Sequence, residues 1–484
     1  DRPAPGLLGQ PLVDNVRALL FFDDWPLHRR QHLSRHVGRP RLVPEGTLED
    51  PFVDPGWGYP TVFQEPETGR WRCVYQGNVG PGPDTRVPVV AESDDAIHWR
   101  IPDLSATVPL ARRLTPHQLF GVERFLQWSG AYADPQAVGT DTWLKGLVIE
   151  RGAGGAPPAL LVTSPDGLHW RSAAADPWHP TGADPITAAF WNPYRQSHVL
   201  TMRPAHNDRR IALSETRDWQ SFTPLELALQ ADALDTPCAE IYGMPVIPYA
   251  GMFVGLLWLY HPSTVIDGPN QYYLGKIDCQ LAYSHNGWHF QRSLREPFLA
   301  NSEPGTHGAG CLYPMSVVAV GDELRVYSSA TKAEHGEVRR NPANPWGAIL
   351  LHTLRKDGFV YLEADGGPGE LVTRTLLWHG GESQFNVAAP QGEMRVQVLD
   401  INGAPLAGYG YDDCVPLRGD AMDWTPQWRE GRMMAALGER IVRLAVRLSN
   451  GRLYAIRGRF DLMMAGEARL FTERGVRPTT RPGY

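Results

Sequence analysis

The sequence predicts an all-β fold, a five-bladed β-propeller followed by a C-terminal β-sandwich. Two patterns that run in step carry this expectation. One is a turn phrase: Ser93-Asp94-Asp95-Ala96-Ile97-His98-Trp99 returns as Ser164-Pro165-Asp166-Gly167-Leu168-His169-Trp170 and as Ser284-His285-Asn286-Gly287-Trp288-His289-Phe290. A weaker copy is Ser214-Glu215-Thr216-Arg217-Asp218-Trp219, and Arg355-Lys356-Asp357-Gly358-Phe359-Val360 keeps only the turn. Successive starts lie 71, 50, 70 and 71 residues apart. The other pattern is an apolar run, a polar turn and a second apolar run just upstream of each phrase, at 59–76, 132–149, 186–203, 243–260 and 313–330. Short strands and tight turns repeating at about 40–70 residues mark a radial architecture.

Each upstream segment is rich in β-branched and aromatic residues on both sides of its turn, which is hairpin chemistry. In the phrase that follows, the Ser and Asp side chains can satisfy backbone groups and the Gly can supply a positive φ. Five such units make five blades, expected over residues 15–365. Residues 101–131 and 221–239 lengthen two of the links between blades. Beyond Gly366-Gly367-Pro368-Gly369, alternating runs such as Met394 to Asp400 and Ile441 to Leu448 are separated by Asn402-Gly403 and Asn450-Gly451. These read as an antiparallel β-sandwich over 370–465, with 466–484 as a tail.

Composition narrows the function. The 484 residues suffice for two domains, and 42% of them are apolar. Net charge is −7 and no run of Lys or Arg occurs, so nucleic acid and anionic membranes are poor partners. Five scattered Cys without a CxxC argue against a disulfide scaffold and against zinc. No apolar stretch is long enough to span a membrane. Sixteen Trp and 17 Tyr can fill blades or stack on sugar rings, so a carbohydrate partner is expected.

The chemistry is expected at the axis, where loops from five blades share one funnel. Acids just before or at inner strands point into it: Asp54, Asp134, Asp184 and Glu240, with Glu303 ahead of the fifth hairpin. Hydrolysis of a glycoside needs two carboxyl groups flanking the bond, one protonated and one ionised. Glu240 is expected to face Asp184, Asp134 or Asp54. His307, between glycines, and Trp57, Tyr242, Trp191 and Arg203 are the candidates for stacking on sugar or holding hydroxyls. Leu119 to Phe125 is a candidate wall of the funnel. No cofactor or catalytic metal is expected, although a structural cation on the axis fits such a funnel.

These residues carry a resemblance. The predicted architecture resembles glycoside hydrolases of families 32 and 68 and the related families 43 and 62, including bacterial proteins that look like family 32. Tyr132-Ala133-Asp134-Pro135 is similar to the Arg-Asp-Pro motif of family 32 but lacks its Arg. Glu240, ahead of Met244-Pro245-Val246, is similar to the Glu of its Glu-Cys motif. The place of its Asn-Asp-Pro-Asn is taken by Gly56-Trp57-Gly58-Tyr59-Pro60, which holds no acid, the nearest being Asp54. The resemblance implies a glycosidase, with a furanoside such as a fructoside or arabinoside favoured. The alternatives are a glycoside phosphorylase on the same fold and a non-catalytic carbohydrate-binding propeller. The turn phrase also resembles the Asp-box of sialidases, which pins the outer edge of a blade; Asp94, Asp166 and Asp357 are therefore read as turn formers.

Overall fold

The computed structural model describes residues 16–80, 85–121, 125–150, 159–173, 188–204, 208–266, 272–337 and 347–478. Its elements are nearly all strands, with one α-helix, Ala465–Arg474, among the described residues. Among the described residues two compact units result: 40–354, and 16–39 together with 355–478.

In the first unit, antiparallel sheets follow one another along the chain. Thr61–Gln64, Trp71–Asn78 and Arg86–Ser93 form a three-stranded sheet. Phe125–Ala133, Leu144–Glu150, Ala159–Ser164 and Arg171–Ser172 form the second. Ala188–Asn192, Ser197–Met202, Ile211–Thr216 and Glu226–Leu229 form the third. A nine-stranded sheet follows, and its two halves are joined by the parallel bridge between Ile277 and Cys311. One half is built on Met252–Ile266 and the other on Cys311–Val320. The outermost strand of the last half is Arg41–Leu42, which comes from the start of the unit and pairs with Thr353 and His352. A sheet group completed by chain from the other end of the unit ties the last group to the first.

Five strands line one cavity of about 110 Å³, contributing among others Val62, Ala131, Ala189, Ile247 and Val317. Above it the interior is filled by aromatic rings. Tyr59 stacks on Trp258 with centroids 5.8 Å apart and planes 9° apart. Tyr313 meets Trp258 edge-on at 5.4 Å, a favoured geometry for ring quadrupoles. The buried Trp258 Nε1 donates to the Pro314 carbonyl at 2.9 Å. Gly243 makes room for this ring, since a Cβ there would lie 2.6 Å from it.

The turn phrases are built as expected, with one shift. In the first copy Asp95, not Asp94, accepts from the N–H groups of Ile97 and His98, each at 2.9 Å. Ser93 Oγ accepts from Ala96 N–H at 2.9 Å. Asp166, Asp218 and Asn286 repeat the Asp95 pattern. The residue that follows the turn-forming Asp or Asn has positive φ in these four copies: Ala96, Gly167, Trp219 and Gly287. Three of these turns are also clasped by a neighbouring sheet. Arg72 donates to the Asp166 carbonyl at 2.6 Å, Asn192 to the Asn286 carbonyl at 2.8 Å, and Arg325 to the Asp95 carbonyl. The phrases therefore join sheet to sheet.

The second unit is a ten-stranded antiparallel system. Its core contains Leu371, Trp378, Phe385, Val396, Trp428, Leu444 and Ile456. Here the structure corrects the expected boundaries. Residues 16–39 and 355–365, assigned from sequence to the propeller, belong to this unit. The reason is strand pairing: Val16–Leu20 pairs with the 455–459 segment, Leu27–Gln31 with Gly369–Thr373, and Ser34–Val37 with Val360–Ala364. The turn at Asp357 belongs here too, with φ of 63°, and its buried carboxylate accepts from Asn386 and Arg457. The expected tail at 466–484 contains most of helix Ala465–Arg474. The helix seats Ala468 against Leu377 and Met463 and ends on Gly475 in the left-handed conformation.

Candidate functional site

The N-terminal ends of the innermost strands in the first unit gather a polar and aromatic cluster. Glu240 opens the strand Glu240–Gly243 and pairs with Tyr260 on Met252–Ile266. Its carboxylate is ion-paired with Arg209, which enters from the start of the neighbouring sheet's third strand. The Arg209 guanidinium lies over two rings, 5.5 Å from Tyr242 and 5.2 Å from Tyr260. Burial opposes its charge, but Tyr242 and Glu240 outweigh that and hold it firmly protonated. Arg203 lies over the same Tyr242 ring at 4.8 Å and donates to the Tyr242 carbonyl at 2.9 Å.

His335 links this group to the first sheet. Its ring is 5.1 Å from Tyr242, 5.0 Å from Tyr260 and 6.4 Å from Trp57. Arg86 lies 5.7 Å over Trp57 and donates to Gln127 at 3.2 Å. Below Trp57, Tyr59 has φ of 47°, an unfavourable value for an aromatic residue. Ser329 Oγ accepts the Tyr59 N–H at 2.7 Å and Trp258 stacks on its ring. Strain of this kind persists where the surroundings over-determine it, and it concentrates at functional sites.

The structure thus brings together Glu240, Tyr242, Arg203 and Trp57 of the expected set. Asp54 lies at the same end of the first sheet, bridged to Asn78, with its Oδ1 accepting the Gly56 N–H at 2.9 Å. His307 Nε2 donates to Glu49 Oε1 at 2.9 Å. Glu303 is exposed in the same loop. Asp184 lies outside the described residues, as does part of the expected wall at 119–125.

Asp134 and Trp191 are placed elsewhere. The hairpin of the second sheet begins at Phe125, so Asp134 follows the end of its inner strand instead of preceding it. A ten-residue turn, 134–143, made this segment read as the start of a hairpin, and the link thought to span 101–131 contains most of that inner strand, Phe125–Ala133. Asp134 is 2% exposed and paired with Lys145 at 2.6 Å, with His198 Nε2 at 3.5 Å. Its Oδ1 accepts the Gln136 N–H at 2.8 Å, which closes the turn. Trp191 packs on His198 with centroids 4.9 Å apart. Both residues sit at the C-terminal ends of the inner strands, where Glu240 is absent, so Asp134 cannot face Glu240 across a funnel.

Arg86, Arg209, Tyr260 and His335 were not found from sequence. The Asp208-Arg209-Arg210 group held a signal: charged residues just before an apolar strand, in the gap between two hairpins.

No family model matches this chain, and no curated protein matches it. Among solved structures it is similar to a thermostable family-43 glycoside hydrolase, at 13% identity and a TM-score of 0.41, over 68% of this chain and 92% of that one. It is also similar to a β-fructofuranosidase from Schwanniomyces occidentalis, at 10% identity and 0.41, over 87% and 97%. A family-32 β-fructofuranosidase from Bombyx mori gives 13% identity and 0.41, over 91% and 95%. The likeness is to glycoside hydrolases of families 43 and 32, and the reading below stands on the residues of the site.

Proposed function

We propose that the first unit is a five-bladed β-propeller, that the second is a β-sandwich, and that the protein hydrolyses a glycosidic bond at the Glu240 end of the axis. The observation that carries this is Glu240 itself: a carboxylate at the head of an inner strand, paired with Arg209, whose guanidinium lies over the Tyr242 and Tyr260 rings, with Trp57 joined to those rings through His335. Rings of this kind offer stacking faces to a sugar, and Arg203 and His335 offer hydrogen bonds to its oxygens.

In this reading the ion-paired Glu240 acts as nucleophile or base. Asp54 or Asp184 supplies the second carboxyl group, which protonates the leaving oxygen. Both precede an inner strand in the sequence, and Asp54 shares the Glu240 end of the unit.

The test is a panel of aryl furanosides and pyranosides assayed from about pH 4 to about pH 8. Turnover of at least one, with a bell-shaped profile, is expected. Glu240→Gln should then lose roughly 10²–10⁴-fold in kcat/KM, and either Asp54→Asn or Asp184→Asn should lose a similar factor. If no glycoside turns over, a carbohydrate-binding propeller replaces the hydrolase.

A further inference from the structure

A second group of reactive side chains lies in the link ahead of Glu240 and on the sheet beside it. His261 stands on Met252–Ile266 and Asp278 on Tyr272–Ser284, two strands that pair antiparallel. Leu259 pairs with Asp278 and His261 with Lys276, so His261 and Asp278 are diagonal neighbours on one face. His261 Nε2 lies 3.1 Å from Asp278 Oδ2, and His261 Nδ1 lies 2.9 Å from Thr236 Oγ1. An ionised carboxylate only accepts, so Nε2 carries the ring proton. In the neutral ring Nδ1 then accepts, and the Thr236 hydroxyl donates to it. The chain of bonds therefore runs from hydroxyl to imidazole to carboxylate. This arrangement activates a hydroxyl as a nucleophile, and it is recognised by geometry and roles instead of order along the chain.

The link does not need the Thr236 hydroxyl to hold its shape. Asp235, the preceding residue, has a side chain only 2% exposed, paired with Arg292 at 2.7 Å and with Arg295 at 3.2 Å. The turn at 236–239 is closed by its own backbone, the Ala239 N–H donating to the Thr236 carbonyl at 3.0 Å. Thr236 is thereby fixed in an exposed position, within reach of a ligand. Asp278 Oδ1, in contrast, is buried with no hydrogen-bond partner among the described residues. A buried carboxylate oxygen without a partner costs stability, and it leaves Asp278 bonded through Oδ2 to the imidazole. We propose that Thr236 is the nucleophile of an esterase site, with His261 as its base and Asp278 as the residue that positions His261. Thr236 Oγ1 bonds to the ester carbonyl carbon, and its proton passes to His261 Nδ1. The C–O bond to the alcohol then breaks, and that proton goes to the departing oxygen. Water attacks the acyl carbon next and gives a proton to Nδ1. The bond to Thr236 Oγ1 breaks, Oγ1 takes that proton back, and the carboxylic acid leaves. Ester and water are the only reactants, and the site does not depend on the hydrolase reading.

The experiment follows p-nitrophenyl acetate with the full chain at neutral pH, by release of nitrophenol and by mass spectrometry of acid-quenched protein. Turnover above the buffer rate is expected, with an acetyl group on the peptide that contains Thr236. The chain has 16 His that can hydrolyse this ester slowly by themselves, so the comparison that decides is with variants. Thr236→Val should lose both the acetyl label and at least roughly a hundredfold of the turnover, and His261→Gln should lose roughly 10²–10⁴-fold. Thr236→Ser should keep the label and the turnover, which a hydroxyl that only pins the link would not require. Thr236 is exposed, and an unchanged urea midpoint in Thr236→Val would show that the loss is chemical. If Thr236→Ser alone can be obtained folded, its acetyl label on residue 236 supports the proposal and the lack of that label overturns it. No turnover above buffer, turnover unchanged in Thr236→Val, or an acetyl group only on other residues overturns the esterase site.

Discussion

Lys145 Nζ lies 2.6 Å from Asp134 Oδ2, and both side chains are nearly sealed from solvent, at 6% and 4% exposure. This pair sits at the end of the inner strands remote from Glu240. Lys145 also donates to the Thr142 carbonyl at 2.8 Å and lies 5.2 Å over the Trp219 ring. It therefore fastens the 134–143 turn to the sheet interior.

Removing one partner of a buried pair leaves the other charged and unpaired, which costs about 3–5 kcal/mol. Asp134→Asn should lower stability by that amount in urea titrations. It should leave kcat/KM of the folded protein within about twofold of the parent on any saccharide that the protein cleaves. A large loss of turnover in fully folded Asp134→Asn would return Asp134 to the chemistry.

The same cluster makes stability depend on pH. Burial lowers the His198 pKa to about 4, the attraction of Asp134 opposing and the repulsion of Lys145 assisting. Burial alone lowers His352 to about 4 as well. Unfolded His titrates near 6.5, so between about pH 6.5 and about pH 4 the unfolded chain binds more protons than the folded one. Stability should be full above that window and fall through it as pH drops, by roughly 3 kcal/mol for each histidine. Urea midpoints taken across the window would show the fall, and His198→Gln should remove about half of it. An unchanged slope in that variant would exclude His198 as a source.

These cases show what the sequence could disclose. The turn phrases were legible because their bonds are local: Ser93 and Asp95 cap backbone groups two or three residues away. Assigning that role to Asp94 instead of Asp95 was an error of one residue within a correct motif. Asp134 was misplaced because Asp-Pro within a long turn looks the same as Asp-Pro before a strand. Whether it heads or ends an inner strand depends on where Phe125 and Leu144 pair. The move of residues 16–39 to the second unit was illegible for a stronger reason. Their partners lie more than 300 residues away in the chain, at 360–373 and 455–459. Glu240 was found from its place before a strand, whereas Arg209, Tyr260 and His335 come from separate strands and loops that only the fold brings to it.

Glycine in the phrase has two duties that substitution can separate. Gly167 has φ of +85°, and a Cβ there would lie 2.5 Å from Phe63 Cζ of the neighbouring sheet; Gly305 has φ of +86° with nothing within 4 Å. Gly305→Ala should therefore cost about 1–2 kcal/mol, the strain of a left-handed backbone. Gly167→Ala should cost that plus about 1–3 kcal/mol of overpacking. Equal losses for the two variants in chemical denaturation would show that Phe63 gives way freely and that the turn is not clamped by its neighbour.

The cysteines give a test of the packing as a whole. All five are free; Cys238 is exposed and Cys73, Cys279, Cys311 and Cys414 are buried. Burial pushes the Cys311 thiol up to about 11 and raises those of Cys73 and Cys279 as well, so these three hold neither solvent access nor thiolate. Cys238 stands in the loop before Glu240, with φ of 63°. A thiol-specific reagent at neutral pH should therefore modify Cys238 rapidly in the native protein. The other four should react only as the protein unfolds, and Cys238→Ser should abolish the rapid phase. A second rapid thiol in the native state would mean that a sheet interior opens far more readily than the packing around Cys73, Cys279 and Cys311 allows.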